Sequence, residues 1–437
     1  MCSIGEDDFG DEGGAHAMIP DGKLITNLET PGDILCNKCK KPGATYKLTF
    51  REAECKECFL NYARHKFRAA LGSSKILPRN ANVVLVFNGS AQSVVLLDML
   101  HHAQTQNTFK RLHCNATVIF IDDYWICHGV TSEGDYQNFI RNIKNILSTY
   151  CGFESFVLPL MGIDDAMSLI FNFKTLPDDY FVKVNSPSKD FIESLENIKS
   201  LTSRQDFVKH HRSRLIAEVA RYFQCQFAFM SAISSDLAFD LLAAVALGRG
   251  ASAALDVALV DNRLPNDVQI VRPLKDLTQE EIELYARAQE LYLPLYQAYG
   301  DDGGSSASLQ NLTKTFVEGL QRNYSSTVST VFRTGSKISL NQDISLKMKD
   351  LSVLEDGLGL HCSFCKSFLD YKDSTTLLAI EFSRVVSEMG VTHNTAQDLN
   401  YKAHQYVSGV NEEGHMRNLC HACRNIYAEM LNKSHFL

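Results

Sequence analysis

The sequence lacks long hydrophobic runs and a recognisable export signal. No apolar run approaches the roughly 20 residues that a membrane span needs, so we expect no membrane insertion. The N-terminus places Glu6, Asp7, Asp8, Asp11 and Glu12 among glycines, the reverse of a signal peptide's basic start and apolar middle. The composition, 45% hydrophobic and 22% charged, is that of a globular protein.

An excess of basic charge and a dense set of cysteines are missing as well. The formal net charge of −8 argues against a surface that is basic all over, so any nucleic acid would be held on a local patch or by a partner. Thirteen cysteines among 437 residues are too sparse for a disulfide scaffold. Eight of them form four Cys-x-x-Cys pairs, a pattern typical of metal binding in a reducing compartment. We therefore expect a protein of the cytosol or nucleus.

The chain divides into five predicted parts. They are a disordered acidic tail (1–30), a zinc knuckle with a helix (31–72), an α/β domain (73–300), a linker with a helical segment (301–350) and a second cysteine region (351–437). Within the α/β domain, strands are predicted at 82–87, 116–121, 154–158, 226–232 and 268–271, and helices near 91–104, 133–149, 207–223, 235–248 and 278–290. This alternation predicts a parallel sheet with helices on both faces. Residues 164–200 interrupt it as an insertion would, the acidic glycine run at 301–306 predicts a loop, and a helix is expected near 308–321 before a poorly patterned stretch to about 350.

Two sets of paired cysteines predict two metal sites. Cys36 and Cys39 are followed after fifteen residues by Cys55 and Cys58, and Cys362 and Cys365 are followed after fifty-four residues by Cys420 and Cys423. Two facing knuckles supply four thiolates around a tetrahedral zinc, and such closed sites are structural because no position is left for water. Buried, unrelated thiols are the alternative, and His361, His415 or His421 could replace a cysteine at the second site. Cys114, Cys127, Cys151 and Cys225 are isolated and expected to be small buried hydrophobic residues.

A candidate phosphate loop follows the first predicted strand of the sheet. Residues 83–87 form an apolar strand that leads into Asn88-Gly89-Ser90-Ala91-Gln92-Ser93 and then into a helix. The unpaired amides of a helix N-terminus and the positive end of its dipole favour an anion such as pyrophosphate. Small-residue turns are also common as plain connections in doubly wound folds, so the loop alone leaves that alternative open.

The knuckle, helix, strand, loop at residues 88–93, Arg272-Pro273-Leu274 and terminal cysteine pairs together resemble the cytoplasmic tRNA 2-thiolation protein 2 family from about residue 33 onward. The resemblance implies a PP-loop α/β fold and a cytoplasmic, non-catalytic subunit, partnered by a catalytic PP-loop thiolase. The pair would 2-thiolate the wobble uridine of lysine, glutamate and glutamine tRNAs, with sulfur from a thiocarboxylated ubiquitin-related modifier. The alternatives are a sulfurtransferase active by itself and a zinc-dependent scaffold without an RNA role.

The loop departs from the catalytic relatives' Ser-Gly-Gly-x-Asp-Ser. Gly89 and Ser93 are kept, whereas Asn88 stands for the first serine, Ser90 for the second glycine and Gln92 for the aspartate. A second family segment, Gly-His-Asn-x-Asp-Asp, corresponds to residues 231–236 here and keeps only Asp236, and the lone Cys225 cannot run a two-cysteine sulfur relay. The departures speak against ATP turnover by this chain. Asn88, Gly89, Ser90 and Ser93 remain the candidate nucleotide-binding residues, and no catalytic residue is predicted.

Local basic clusters are the candidate tRNA surface. They comprise Arg64, Lys66 and Arg68 on the first helix and Lys209, His210, His211, Arg212 and Arg214 on the 207–223 helix. Phosphate contacts need such cations without much sequence specificity. Each cluster could equally be a solvated helix face.

Overall fold

The computed structural model describes residues 34–73, 76–106, 111–128, 133–177, 179–294, 296–337, 361–369 and 419–430. The predicted tail at 1–30, and large parts of the predicted linker and second cysteine region, lie outside these ranges. The chain separates into two compact units, Met1–Lys56 and Glu57–Leu437. Within the described ranges, no helix is both long enough and apolar enough to cross a bilayer.

The described part of the first unit is a small β-hairpin preceded by a tight turn. Strands β1 (Tyr46–Leu48) and β2 (Arg51–Glu54) pair antiparallel. In the turn before them, Lys40 has a left-handed φ of 59° and its amide donates to the Cys36 carbonyl at 2.8 Å. Cys36, Ala44 and Leu48 are the buried apolar residues of this part, and Glu54 is buried as well.

The second unit is an α/β sandwich. Its strands are β3 (Ala81–Phe87), β4 (Cys114–Asp122), β5 (Glu154–Pro159), β6 (Phe171–Asn172), β7 (Phe227–Phe229), β8 (Val260–Asp261) and β9 (Gln269–Val271). Its helices are α1 (Lys56–Ser73, which begins at the unit boundary), α2 (Ala91–Thr105), α3 (Tyr124–His128), α4 (Glu133–Thr149), α5 (Ile163–Ser168), α6 (Tyr180–Glu196), α7 (Leu201–Tyr222), α8 (Ser234–Ala246), α9 (Ala253–Asp256), α10 (Gln279–Ala288), α11 (Leu309–Asn323), α12 (Thr327–Lys337) and α13 (His421–Glu429).

The seven strands lie in the order β6-β5-β4-β3-β7-β9-β8. The five inner strands are parallel, and β6 and β8 are short antiparallel strands at the two edges. The chain builds outward from β3 through β4 and β5, then returns to the other side of β3 for β7 and β9. Such a reversal leaves a crevice at the carboxyl ends of the strands, where ligands of doubly wound sheets bind. The loop after β3 lies at this switch point.

Burial explains why the central strands have continuous apolar runs. Val83, Val84, Leu85 and Phe87 of β3 have no exposed surface, because helices cover both faces of the sheet. On α2, Val95, Leu96, Leu97 and Leu100 are equally buried. The α/β class, the mostly parallel sheet and the five predicted inner strands are confirmed.

Two stretches differ from expectation. Residues 164–200, predicted to interrupt the fold, contain most of α5, together with β6 and α6, and so form part of the layers beside β5. The poorly patterned stretch after the predicted 308–321 helix contains a further helix, α12, whose Val331 and Phe332 pack on a cluster that includes Leu241 and Val257. Its helical pattern is short and interrupted by polar residues, so tertiary packing decides the conformation.

Candidate functional site

Cys36, Cys39, Cys55 and Cys58 form the first metal group. Their sulfur atoms all lie within 4.8 Å of one another, and Cys39 Sγ is 3.7 Å from Cys55 Sγ. The Cys55 amide donates to Cys36 Sγ at 3.3 Å. Backbone amides, chiefly that of Cys39, lower the pKa of Cys36 to about 6, so this sulfur is a thiolate at neutral pH. The thiolate is the form that binds metal.

Cys362, Cys365, Cys420 and Cys423 form the second metal group. Their sulfur atoms also lie within 4.8 Å of one another, with 3.6 Å between Cys365 and Cys420. The first two lie in a turn like that of the first group: Lys366 has a φ of 59° and its amide donates to the Cys362 carbonyl at 3.0 Å. The other two lie at the start of α13. The two pairs thus lie together although fifty-four residues separate them in the sequence.

Histidine is not a member of either group within the described ranges. His361 has Nδ1 3.3 Å from the Lys366 carbonyl, and His421 has Nε2 3.3 Å from the Asn425 side-chain amide. His415 lies outside the described residues.

The sulfur spacing fits one tetrahedral ion at each site. Zn–S bonds of about 2.3 Å in a regular tetrahedron place neighbouring sulfur atoms about 3.8 Å apart. The measured separations of 3.7 Å and 3.6 Å agree with this edge. Four thiolates close the coordination sphere, so such an ion would cross-link chain segments and would leave no position for a reacting water.

The candidate phosphate loop joins β3 to α2 at the switch point. Gly89 has a left-handed φ of 82°, which a residue with a side chain adopts only with strain. This explains why the loop keeps a glycine at this position of the Ser-Gly-Gly-x-Asp-Ser pattern. Ser90 is the N-cap of α2 and its hydroxyl accepts from the Ser93 amide at 3.2 Å. Ser93 is fully buried and its own hydroxyl donates to the Ser90 carbonyl at 2.9 Å.

Side chains of the loop take up two of the amide donors that a phosphate could use. The Ser90 amide donates to Asn88 Oδ1 at 3.0 Å, and the Ser93 amide is bound by the Ser90 hydroxyl. Both acceptors come from positions where the sequence departs from the catalytic relatives. An anion entering here would have to displace these internal hydrogen bonds. Gln92, which stands for the aspartate, has its side-chain amide 3.2 Å from Gln279 on α10.

The segment after α10 contacts the same loop from outside. A Cβ placed on Gly89 would lie 3.7 Å from Pro294, and Asn88 Nδ2 donates to the Tyr296 hydroxyl at 3.4 Å. Burial raises the pKa of Tyr296 to about 12, so this hydroxyl stays neutral. The chain thus contributes its own apolar and phenolic groups at the phosphate loop.

Two acidic residues at the end of β4 are a feature that the sequence reasoning missed. Asp122 is 1% exposed, and its carboxylate accepts from the Tyr124 amide at 3.1 Å and from the Tyr136 hydroxyl. Burial raises the pKa of Asp122 to about 7. Its neighbour Asp123 pairs with Arg212. Both carboxylates have partners within the protein, and the only sequence signal was their position after a buried strand.

Residues 231–236, which correspond to the second family segment, include the start of α8. Asp236 accepts from the Ile233 amide at 3.1 Å and thereby caps α8, and burial raises its pKa to about 6. Burial also raises the pKa of the Cys225 thiol to about 11, so this thiol is protonated and unreactive at neutral pH.

The six predicted tRNA-binding lysines and arginines differ in the contacts that their charged groups make. Lys66 is 2.8 Å from Glu281, and Arg212 pairs with Asp123, so both neutralise buried carboxylates and belong to the fold. Lys209 is half exposed, and its ammonium is 2.9 Å from Asp240. The remaining three are half-buried: Arg64 donates to the Tyr285 hydroxyl at 3.1 Å, Arg68 donates to Gln106, and Arg214 lies 5.5 Å from the centre of the Phe364 ring.

These features define a doubly wound α/β protein with a PP-loop-like sheet, whose candidate phosphate loop makes internal hydrogen bonds and which carries two four-thiol groups. A family model described as Cytoplasmic tRNA 2-thiolation protein 2 matches residues 308–425. Proteins of that name from Drosophila simulans and Drosophila melanogaster are each 48% identical over 435 residues, with 98% of both chains covered. The chain belongs to the cytoplasmic tRNA 2-thiolation protein 2 family.

Solved structures provide a second comparison. The U34-tRNA thiolase NcsA from Methanococcus maripaludis, determined with its 4Fe-4S cluster, matches with a TM-score of 0.47 and 18% identity, covering 72% of this chain and 91% of that one. An NMN synthetase from Francisella tularensis matches with a TM-score of 0.33 and 10% identity, covering 65% of this chain and 98% of that one.

Proposed function

We propose that this chain is a non-catalytic subunit of a cytoplasmic complex that 2-thiolates the wobble uridine of tRNA. Membership of the family supports the thiolation role. The observation that carries the non-catalytic assignment is the phosphate loop, where Asn88 and Ser90 occupy the amides of Ser90 and Ser93. A catalytic PP-loop subunit would then activate the uridine with ATP, and a thiocarboxylated ubiquitin-related modifier would supply the sulfur. The substrates would be the lysine, glutamate and glutamine tRNAs.

Zinc is the metal that we propose for both four-thiol groups. The sulfur separations near 3.7 Å suit one ion, whereas a four-iron cluster would hold its thiolates farther apart around a larger core. When bound, zinc would supply structural cross-links. Metal analysis of the purified chain tests this, with two zinc ions per chain expected and iron-sulfur absorbance as the contrary result.

The tRNA contact that we propose uses the cations of the basic clusters that are not bound by Glu281 or Asp123. Arg64, Arg68, Lys209 and Arg214 are the candidates, whereas Lys66 and Arg212 are held by buried carboxylates. Arg64→Glu combined with Arg68→Glu should weaken tRNA binding by the assembled complex and reduce its salt dependence. Arg333→Glu combined with Lys337→Glu, two exposed cations four residues apart on α12, is the matched charge control. Equal affinity in all three proteins would remove the α1 surface from the proposal.

The decisive experiment is reconstituted tRNA thiolation. This chain alone, the catalytic homologue alone and their mixture are each supplied with tRNA, ATP and the sulfur donor. Product only in the mixture, with no loss when Ser93→Ala is introduced here, supports the proposal. Product from this chain alone would show a working ATP site, and a mixture without tRNA binding or product would favour a scaffold without an RNA role.

Calorimetric titration with ATP tests the loop directly. The internal hydrogen bonds predict no measurable binding to this chain. Asn88→Ala combined with Ser90→Gly, which removes both acceptors, reports whether they block the site. Stoichiometric ATP binding by the unaltered chain would contradict the non-catalytic assignment.

A further inference from the structure

A buried arginine connects the second metal group to the α/β domain. Arg249, in the turn after α8, is 3% exposed, and its Nη2 donates to Cys423 Sγ at 3.4 Å. The same guanidinium donates to both carboxylate oxygens of Asp206 on α7, at 2.7 Å and 2.6 Å. The carboxylate fixes the orientation of the guanidinium, and the guanidinium in turn reaches the sulfur.

The charge of the metal group gives this contact its importance. Four thiolates around a divalent ion leave a net charge of two minus, and Cys362 and Cys423 are fully buried. A buried charge is costly without compensating donors, and groups that bond to metal ligands tune and hold them. Arg249 brings a permanent positive charge and an N–H donor to this sulfur cluster.

Other contacts join the same two regions. The Phe364 ring stacks on Phe207 of α7, with centroids 5.6 Å apart and an interplanar angle of 6°. The Phe368 amide donates to the Ser252 hydroxyl at 3.0 Å, and Glu429 of α13 accepts from the Lys199 amide at 3.0 Å. The metal group therefore lies against α7 and the α8–α9 turn over several contacts, of which Arg249 alone combines charge with a bond to a metal ligand.

We propose that Arg249 positions Cys423 and compensates the thiolate charge, so that retention of the second metal depends on an ion pair within the α/β domain. Asp206 is a positioning residue for Arg249. The first metal group, three of whose cysteines lie in the separate compact unit Met1–Lys56, does not depend on it. The first metal group therefore serves as an internal control in the same chain.

The test measures metal content and the rate of metal release to a chelator in the full-length chain. Cys58→Ser identifies the release phase that belongs to the second group. Arg249→Met should accelerate that phase by about 10- to 100-fold and leave the other phase unchanged. Arg249→Lys, which keeps the charge and loses the planar fork, should give an intermediate rate. The proposal would be overturned if Arg249→Met released metal from the second group at the unaltered rate, or if the chain held no metal at that group.

A double variant separates this role from a general loss of stability. Arg249→Met removes the guanidinium that binds both oxygens of the buried Asp206 carboxylate and leaves it with His210, whose Nε2 is 3.3 Å away, so the single variant should unfold more easily. Adding Asp206→Asn removes that buried charge and should restore the urea midpoint, but it should not restore slow metal release. Recovery of both properties in the double variant would show that Arg249 acts only on the stability of the fold.

Discussion

Asp122→Asn should change how the stability of the α/β domain depends on pH. Asp122 ends β4 at 1% exposure, where burial raises its pKa from 3.8 to about 7 despite the hydrogen bonds from Tyr136 and the Tyr124 amide. In the unfolded chain its pKa returns to the ordinary value. Between pH 4 and 7 the folded protein therefore holds a proton that the unfolded chain releases, and the free energy of unfolding falls as the pH rises through this window.

The size of the effect follows from the two pKa values. Each pH unit in the window costs about 1.4 kcal/mol, so this carboxyl alone lowers the free energy of unfolding by about 3 kcal/mol between pH 5 and pH 8. Asparagine does not titrate and its carbonyl still accepts a hydrogen bond. The difference in stability between Asp122→Asn and the unaltered chain should therefore grow by about 3 kcal/mol in favour of the variant over that range.

Urea unfolding followed by tryptophan fluorescence is the assay. Trp125 is the single tryptophan of the chain, is buried, and has its ring centre 5.2 Å from that of Tyr136, so its emission reports on the surroundings of Asp122. Asp164→Asn, an exposed aspartate on α5, is the matched control. Other titrating groups are common to all three proteins and cancel in the differences. Parallel curves for Asp122→Asn and the unaltered chain from pH 5 to 8 would refute the reasoning.

Three further perturbations have defined outcomes. Cys58→Ser should reduce the metal content from two ions to one and expose residues 34–56 to proteolysis. The control Cys151→Ser, at an exposed cysteine outside both groups, should change neither property. Metal analysis and limited digestion measure the two outcomes. Arg212→Met should cost about 3 kcal/mol in urea unfolding because Asp123 loses its partner, and adding Asp123→Asn should recover most of it; no recovery would argue against the ion pair. Gly89→Ala should cost about 1 kcal/mol in the same assay because its φ of 82° strains a side chain, and an unchanged midpoint would contradict this.

The inner sheet and the membership of the two four-cysteine groups could be predicted because their signals are local. The apolar run of β3 follows from burial on both faces, and each Cys-x-x-Cys pair is a local motif: the first pair of each group lies in a tight turn, and the second pair lies at the start of a helix. The edge strands β6 and β8 have two residues each, too few to show any periodicity. Helix α12 was missed because packing on α8 outweighs a weak local pattern.

The chemistry around the site depends on pairs that are distant in sequence. Lys66 and Glu281 are 215 residues apart, and Arg249 and Asp206 are 43 residues apart, so neither pairing has a local pattern. A cluster of cations in a sequence therefore overstates the charge that remains available on the surface. The altered residues of the phosphate loop were identifiable from sequence, but the bonds they make to its amides were not, because those depend on rotamers.

The two edges of the sheet have a consequence for assembly. Among the described residues, each edge is formed by an antiparallel strand of only two residues, so an incoming chain would find almost no row of backbone donors and acceptors there to extend. Edges of this kind discourage strand-to-strand joining of folded domains. A partner protein with a similar sheet is therefore expected to contact this chain through side chains on the chain's helices. Amino-acid changes on those helices, more than backbone pairing, would decide which partner binds.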